Sequence, residues 1–220
     1  RACGFCAVNT SKPLPLDSDE PSRVAEAVFR LKLKHVVITA VARDDLKDGG
    51  ANHFQETINS VRLRNPGIII EVLVPDFLDK DNSLDMVLNA KPEIFNHNLE
   101  TIRRLTPKVR SRANYDRSLS VLKKVKERSK GKIYTKSGIM LGLGETETEL
   151  FESLSDLRSA NCDMLTMGQY LQPSLCHLPV VSYIEPSKFD EYGNKARDMG
   201  FMHVASGPMV RSSYHADEFQ

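Results

Sequence analysis

The chain of 220 residues begins with a closely spaced pair of cysteines, Cys3 and Cys6, in the sequence RACGFCAV. Two thiols at this spacing are typical of half a zinc site, a thioredoxin-type redox pair or part of an iron–sulfur site. A zinc site needs about four ligands, and the sequence has no second CxxC and no HxxxH. A thioredoxin-type pair should follow a strand, and none precedes this one. A three-thiolate cluster fits if one more cysteine lies just upstream of Arg1.

The remaining cysteines and the histidines predict no second metal site. The sequence has four cysteines, few and unevenly spaced, which argues against a disulfide scaffold and for a reducing compartment. We interpret Cys162 as a small buried apolar residue and Cys176 as incidental. No two histidines have ligand spacing on one helix face.

Polar residues and glycines follow five short β-rich runs. These stretches are ARDDLKDGGANHF, NHNLE, GLGETE, GQYLQPS and PMVRSSYHA. The carboxyl ends of parallel strands meet at one edge of a sheet, and binding sites form there. We therefore expect these loops to converge on one site.

The elements that position these loops alternate along the chain. Short β-rich runs at residues 35–41, 67–75, 93–98, 132–141, 163–168 and 201–207 predict strands, and helical patterns separate them. This alternation predicts βα units around a parallel sheet, in one domain because no linker is evident. A closed eight-stranded barrel usually needs about 250 residues, so six strands indicate an incomplete barrel or a doubly wound sheet.

The composition excludes two classes of partner. The formal net charge of +1 provides no global field to gather nucleic acid. No apolar run approaches the roughly 18 residues that a membrane helix needs. We expect neither nucleic acid nor a membrane as a partner.

Several motifs together resemble the lipoyl synthases, a family of radical S-adenosylmethionine (SAM) enzymes. RACGFCAV resembles the end of the CxxxCxxC loop of such enzymes. The match continues in order through VITAVARDDLKDGGANHF, FNHNLET, KSGIMLGLGET, DMLTMGQYLQPS and HLPV to GPMVRSSYHA, which is specific to this family. The resemblance covers almost the whole chain, from Arg1 to about Asp217.

The resemblance implies an α/β fold, a partial (βα)6-type TIM barrel of the radical SAM superfamily. Residues 1–220 would form a single barrel domain, with an irregular tail from about residue 207 to 220 that closes the active site. It also implies that the first barrel strand, one cluster cysteine and a segment with three further cysteines precede Arg1. On this expectation the chain of 220 residues is N-terminally truncated and inactive by itself.

The resemblance further implies a sulfurtransferase activity. Members insert two sulfur atoms at C6 and C8 of a protein-bound octanoyl chain, using SAM and two [4Fe–4S] clusters, one radical and one auxiliary. The implied partners are octanoylated lipoyl carrier domains, namely the E2 subunits of 2-oxoacid dehydrogenases and the glycine cleavage H protein, and an electron donor such as flavodoxin or ferredoxin. We expect a monomer in the bacterial cytoplasm, or in a mitochondrion or plastid if the source is eukaryotic.

The resemblance also implies the metal ligands. Cys3 and Cys6 match the second and third cysteines of the radical cluster, and Phe5 would shield that cluster. In the RSSY motif a serine binds the auxiliary cluster, and we favour Ser212 with Ser213 in reserve. Arg211 beside it would lower the cost of deprotonating the hydroxyl. These assignments make Cys3, Cys6 and Ser212 the expected catalytic residues.

The remaining implied residues contact SAM. Asp48, Gly49 and Gly50 occupy the place of the glycine-rich motif that receives the amino group of SAM, where a Cβ would obstruct the approach to the backbone. The strand and turn in GIMLGLGE would contact adenine, and three side-chain amides would hydrogen-bond the ribose or carboxylate. These further expected residues are Gly138, Met140, Gly142, Glu145, Asn96, Asn98 and Gln169.

Two alternatives stay open at this point. One is another sulfur-inserting radical enzyme, such as a biotin-synthase-like protein acting on a small molecule, although the RSSYHA tail argues against it. The other is a zinc-binding protein without catalytic activity, built on a TIM-like body.

Overall fold

Six parallel strands form one sheet in the order β1-β2-β3-β4-β5-β6. The computed structural model describes residues 1–213 and, at Asp81, the backbone alone. The strands are β1 (His35–Thr39), β2 (Ile69–Leu73), β3 (Ile94–Asn96), β4 (Tyr134–Leu141), β5 (Met164–Gln169) and β6 (His203–Ser206). All six strands predicted from the sequence are confirmed, and the consecutive parallel order confirms the expected α/β fold.

Helices precede and connect these strands. They are α1 (Glu20–Arg30), α2 (Ala51–Arg64), α3 (Asp81–Asn89), α4 (Thr106–Val109), α5 (Tyr115–Ser129), α6 (Glu147–Ser159) and α7 (Pro186–Asp198). Six of them coincide with helical patterns in the sequence, whereas the single turn of α4 was not predicted. None of these described helices is long and apolar enough to cross a membrane.

Helix starts show where local sequence decides the boundaries. Thr146 and Glu149 form a reciprocal capping box at the start of α6, and Asn114 accepts from the Arg117 N–H at the start of α5. Asp19 occupies the N-cap position of α1 but makes no side-chain cap hydrogen bond. These caps fix where each helix departs from the loop at the end of a strand.

The core has two main layers of apolar packing. One cluster packs α1, α2, α3 and α5 against β1, β2 and β3, and the other packs α5, α6 and α7 against β4, β5 and β6. Every residue of β5 is buried, as expected for a parallel strand covered on both faces. A third, smaller cluster includes Leu105, Val109 and Tyr170, and it packs against Phe5 and Leu178. This third cluster supports the cysteine loop at the carboxyl end of the sheet.

The end of the described chain lies against β5. The approach is close because Gly168 has no Cβ: a Cβ there would collide with the Val210 carbonyl oxygen. Of the expected tail, residues 207–213 are described, and residues 214–220 lie outside the described part of the chain. The described tail thus covers the carboxyl end of the sheet from one side.

Candidate functional site

A cavity of about 330 Å³ opens at the carboxyl ends of β3, β4 and β5. It is lined by the cysteine loop, the loop after β3, the two central strands and the C-terminal tail. The site residues expected from the sequence that line it are Phe5, Asn98, Gly138, Met140, Gln169, Arg211 and Ser212. The convergence expected of the strand-end loops is therefore observed for three of them and for the cysteine loop.

The cysteine loop is held on both sides by backbone hydrogen bonds. The Gly4 N–H donates to the Val109 carbonyl at 2.9 Å, and the Leu178 N–H donates to the Gly4 carbonyl at 2.9 Å. The His177 ring lies with Nε2 3.1 Å from the Cys6 carbonyl oxygen, so this nitrogen carries the proton and donates. The loop is thus clamped between the end of α4 and the segment after β5.

Both thiols of the pair are free and half-buried. The Cys6 N–H donates to the Cys3 carbonyl at 3.2 Å, which places both residues on one tight turn. Burial raises the pKa of the Cys3 thiol, and the nearby guanidinium of Arg110 opposes that rise. Such a thiol becomes a thiolate on binding a metal, because the cation replaces the lost solvation.

Two of the four cysteines lie elsewhere. Cys162 is fully buried, as interpreted from the sequence, and burial raises its thiol pKa to about 12. Cys176 is exposed in the loop after β5, beside His177. Within residues 1–213, no group of three or more His, Cys, Asp or Glu side chains is arranged to hold a metal ion. The described residues therefore supply two thiol ligands and no complete metal cage.

The loop after β3 contributes a polar wall. Asn98 is buried, its Nδ2 donates to the Glu100 carboxylate at 3.2 Å, and its Oδ1 has no partner. A buried amide oxygen without a partner is costly, so this atom is suited to a ligand that donates a hydrogen bond. Glu100 also lines the cavity and has a left-handed backbone with φ 67°. Burial raises the pKa of its carboxyl, and Arg110 opposes the rise.

The middle of β4 approaches this wall closely. A Cβ on Gly138 would lie 2.8 Å from the Thr166 hydroxyl oxygen and 2.9 Å from Asn98 Oδ1. Both distances are shorter than ordinary van der Waals contact, so only glycine leaves these two polar groups in place. Met140, two residues further, lines the same cavity. The strand therefore presents bare backbone beside two polar groups.

The glycine-rich turn after β4 lies outside the cavity lining. The Glu145 carboxylate accepts from the Gly142 and Leu143 N–H groups, the latter at 2.9 Å. Gly142 has φ 98°, and a Cβ there would collide with the Ser182 carbonyl. In this structure Glu145 shapes the turn, and its role in cofactor binding stays a prediction.

Gln169 lines the cavity, but its side-chain amide is hydrogen-bonded to backbone groups. Its Nε2 donates to the Tyr170 and Ser182 carbonyls at 3.0 and 3.1 Å, and its Oε1 accepts from the Ile184 N–H at 2.9 Å. These three bonds hold the segment after β5 against the strand end. Any contact with a ligand would therefore use a lone pair that remains on Oε1.

Asn96 lies below the cavity, inside the barrel. Its Nδ2 donates to Glu71 at 3.0 Å, and Glu71 forms a fully buried ion pair with Lys136 at 3.0 Å. His35 lies 3.7 Å from the same carboxylate. The structure places Asn96 in this charged interior layer and apart from Asn98.

Asp48, Gly49 and Gly50 lie at the start of α2, away from the cavity. The Asp48 carboxylate accepts from the Gly50 N–H at 3.0 Å and the Asn52 N–H at 2.8 Å, so it caps the helix. Gly49 and Gly50 have φ of 64° and 85° and line a second cavity of about 340 Å³. The structure does not bring this motif together with Asn98 and Gly138, and its role stays a prediction.

The tail supplies the last wall of the cavity. Ser212 lines it and is half-buried, whereas Ser213 is exposed and is not part of the lining. The Arg211 guanidinium donates to the Val210 carbonyl at 2.7 Å. The two adjacent serines therefore differ in their access to the cavity.

Four functional candidates were missed in the sequence analysis. Glu100 and Arg110 face the cysteine loop, His177 clamps it, and Asp76 pairs with Arg1. One signal was available for Glu100, because it lies two residues after Asn98 in the same strand-end loop. The other three look like ordinary surface residues in the sequence, but the fold buries Asp76 and Arg110 and half-buries His177.

Comparisons with known protein sequences agree with this geometry. The radical SAM superfamily matches residues 1–157. Over 218 residues the chain is 57% identical to the lipoyl synthase of Bacillus cereus (strain G9842), which covers 99% of this chain and 73% of that protein. It is 55% identical over 217 residues to the lipoyl synthase of Caldanaerobacter subterraneus subsp. tengcongensis, which covers 99% and 76% respectively.

Solved structures share the fold at low sequence identity. SuiB of Streptococcus suis bound to S-adenosylmethionine superimposes with a TM-score of 0.68 at 12% identity, covering 90% of this chain and 44% of that one. Methylornithine synthase (PylB) superimposes with a TM-score of 0.66 at 15% identity, covering 99% and 73%. These likenesses place the sheet and its connecting helices in the radical SAM fold.

Proposed function

Because the chain belongs to the lipoyl synthase family of radical SAM enzymes, we propose that the cavity at the carboxyl ends of β3, β4 and β5 is its active site. The protein is a sulfurtransferase that uses SAM and an iron–sulfur cluster to insert two sulfur atoms, at C6 and C8, into a protein-bound octanoyl chain. Relatives at 55–57% identity favour this activity over a biotin-synthase-like enzyme or a zinc protein without catalytic activity.

The convergence of four separate segments on one cavity carries the assignment. Phe5 comes from the cysteine loop, Asn98 from the loop after β3, Gly138 from β4 and Ser212 from the tail. These segments are distant in sequence, so their shared wall is a property of the fold. A cavity of about 330 Å³ is in the range of small-ligand sites, which are commonly about 300–1,000 Å³.

Cys3 and Cys6 would hold the radical cluster. Their thiols lie on one half-buried turn, and thiolates are the ligands that iron–sulfur clusters require. When bound there, the cluster would supply the electron for reductive cleavage of SAM. Phe5 lies between Cys3 and Cys6 in the sequence and lines the cavity, where its ring would exclude water.

The polar wall would bind and orient SAM. Asn98 Oδ1 is a buried acceptor without a partner, and the Glu100 carboxylate lies beside it. Both suit hydroxyl or ammonium groups, which donate hydrogen bonds. Gly138 and Met140 would let a flat ring lie against the strand, because the backbone at Gly138 is bare. Together these residues would hold SAM beside the cysteine loop.

The tail would serve a second, auxiliary [4Fe–4S] cluster that donates the sulfur atoms. Ser212 faces the cavity and Ser213 does not, which supports Ser212 as the iron ligand. Arg211 lies next to it and favours the deprotonated hydroxyl by its charge. An alkoxide binds iron more ionically than a thiolate does, so that iron can leave as sulfur is given up.

The partners follow from the same activity. We propose octanoylated E2 subunits of 2-oxoacid dehydrogenases and the glycine cleavage H protein as carriers, with flavodoxin or ferredoxin as electron donor. A monomer in a reducing compartment, such as the bacterial cytoplasm, is consistent with four free cysteines.

The adjacent serines provide the test. The intact enzyme is reconstituted anaerobically with iron and sulfide and assayed with octanoylated H protein for 5′-deoxyadenosine and for lipoyl product. Ser212→Ala should keep 5′-deoxyadenosine formation and lose at least about 90% of the lipoyl product, since the radical site is unchanged. Ser213→Ala should retain most of both. Normal lipoyl product from both variants would refute the role of the tail, and no 5′-deoxyadenosine from the unmodified enzyme would refute the proposed site.

A further inference from the structure

A carboxylate outside the cavity carries an unusual concentration of charge contacts. Asp76 follows β2, and its side chain has no exposed surface. Its Oδ1 accepts from Arg1 Nη2 at 2.7 Å, and its Oδ2 accepts from Arg117 Nε at 2.6 Å. The pKa of this carboxyl is about 2: burial alone would raise it, and the two guanidinium groups outweigh burial. The carboxylate is therefore charged at neutral pH.

Asp76 joins the cysteine loop to the barrel. Arg1 precedes Cys3 by two residues, and its side chain is 9% exposed. Its guanidinium also forms two hydrogen bonds with Asp44 after β1, at 2.8 and 2.9 Å. Arg117 belongs to the first turn of α5 and donates to the Arg112 carbonyl. The single carboxylate of Asp76 thus connects the start of the cysteine loop, the loop after β2 and the helix behind β4.

The backbone next to Asp76 adopts an uncommon conformation. Phe77, Leu78 and Asp79 have φ of 46°, 52° and 60°, three consecutive non-glycine residues in the left-handed region. Residues other than glycine rarely adopt this region because their Cβ is crowded there, so such a turn persists only where its surroundings enforce it. Asp76 contributes directly, because its Oδ1 also accepts from the Leu78 N–H at 3.2 Å. The turn and the ion-pair network therefore depend on one another.

These contacts lead to a role for a residue remote from the cavity. We propose that Asp76 is a positioning residue for the cluster: through Arg1 it fixes the direction in which Cys3 and Cys6 present their thiols. The inference rests on the proposed function only in taking those thiols as the cluster ligands. The guanidinium of Arg1 makes two parallel hydrogen bonds to Asp44 and a third to Asp76, and the third contact holds Arg1 to the loop after β2 as well as to the loop after β1.

Thiol reactivity in the cluster-free protein tests the link without any catalysis. Apo-protein is treated with iodoacetamide, and the alkylation rates of Cys3 and Cys6 are measured by peptide mass spectrometry, relative to exposed Cys176 in the same sample. Asp76→Asn should raise both relative rates about tenfold, the factor expected when one charge-assisted hydrogen bond is lost. Asp85→Asn, which removes an exposed pair with Arg128, is the matched control and should leave the rates unchanged.

A spectroscopic measurement tests the consequence for the cluster. In the reconstituted, dithionite-reduced enzyme, Asp76→Asn should alter the g-values of the cluster and weaken their response to added SAM, whereas Asp85→Asn should reproduce the parent spectrum. Arg1→Gln removes the other partner of the Arg1–Asp76 ion pair and should give the same two results. It tests the proposal even if Asp76→Asn fails to fold. Unchanged alkylation rates in both Asp76→Asn and Arg1→Gln overturn the proposal. Faster alkylation with an unchanged spectrum would show that Asp76 holds the cysteine loop in place, and it would overturn the proposal that Asp76 orients the cluster.

Discussion

Replacing Gly138 by alanine should weaken SAM binding without unfolding the protein. The backbone of Gly138 is ordinary strand, so alanine adopts it without strain. The new Cβ would lie 2.8 Å from the Thr166 hydroxyl and 2.9 Å from Asn98 Oδ1, about half an ångström inside the ordinary contact distance. Asn98 is the group that gives way, because the contact is with the far end of its side chain. Its amide then moves into the space that a ligand needs.

The size of this effect follows from the cost of overpacking. An extra methyl group in a well-packed site costs about 1–3 kcal/mol, which corresponds to a SAM dissociation constant about 5 to 140 times larger. The assay is anaerobic equilibrium dialysis of SAM against the reconstituted enzyme. Thermal unfolding of the same samples reports whether the fold has been affected.

A second glycine supplies the control. A Cβ on Gly207 would lie 3.5 Å from Val210 Cγ2, an ordinary contact, so Gly207→Ala should bind SAM as the parent does. The reasoning fails if Gly138→Ala binds SAM within twofold of the parent while the thermal midpoints agree. In that case the wall formed by Asn98, Gly138 and Thr166 does not contact SAM.

Three further outcomes are expected. Glu71→Gln should lower the free energy of unfolding by about 3–5 kcal/mol in urea titrations, because Lys136 loses its carboxylate partner inside the barrel. The double variant Glu71→Leu with Lys136→Met should lower that free energy by less, since no unpaired charge is left buried. Equal losses in the two proteins would contradict this reasoning. His97 is buried and neutral with a pKa of about 4 against 6.5 when exposed, so stability should fall as pH drops from about 6.5 to 4. In His97→Gln this pH dependence of the thermal midpoint should flatten, and an unchanged slope would exclude His97 as its source. Cys3→Ala should lose SAM cleavage and the iron of the radical cluster while keeping that of the auxiliary cluster, whereas Cys176→Ala should lose neither cluster; an iron content equal to that of the parent in Cys3→Ala would contradict the ligand assignment.

The strands were predictable because their local signals agree with the fold. Residues 163–168 form a short, largely apolar run between polar segments, and β5 is buried along its whole length. The loops after β3 and β5 line one cavity, as the sequence predicted, because the parallel strands of a sheet bring their carboxyl ends to the same edge. In these cases sequence order alone fixes spatial order.

The path of each loop was not predictable from the same signals. The turn at Gly49 and Gly50 follows β1 as expected, yet Asp48 caps α2 and directs the turn towards a different cavity. Asn96 and Asn98 are two residues apart, but one lies in the charged interior layer and the other in the cavity wall. Side-chain direction after a strand depends on the local φ and ψ values, which hydrophobic patterning does not encode.

Buried charged residues were the second kind of feature that could not be predicted from the sequence. Asp76 and Arg110 look like surface residues in the sequence because both lie in polar segments. Each is buried with a partner outside its own local segment: Arg1, 75 positions away, in the first case, and the Leu99 carbonyl and Ser118, 11 and 8 positions away, in the second. Pairing partners at such distances leave no periodic pattern in the sequence.

The clamps on the cysteine loop also set an order of assembly during folding. Arg1 is separated from Asp76 by 75 positions, and Cys6 from His177 by 171. Contacts between such distant positions form late, since the intervening chain has to be ordered first. The barrel strands, by contrast, pair with neighbours along the chain and form through shorter loops. The barrel can therefore be folded while the thiols of the loop remain accessible. A cluster would then be inserted into an almost completely folded protein, and the loop would close last.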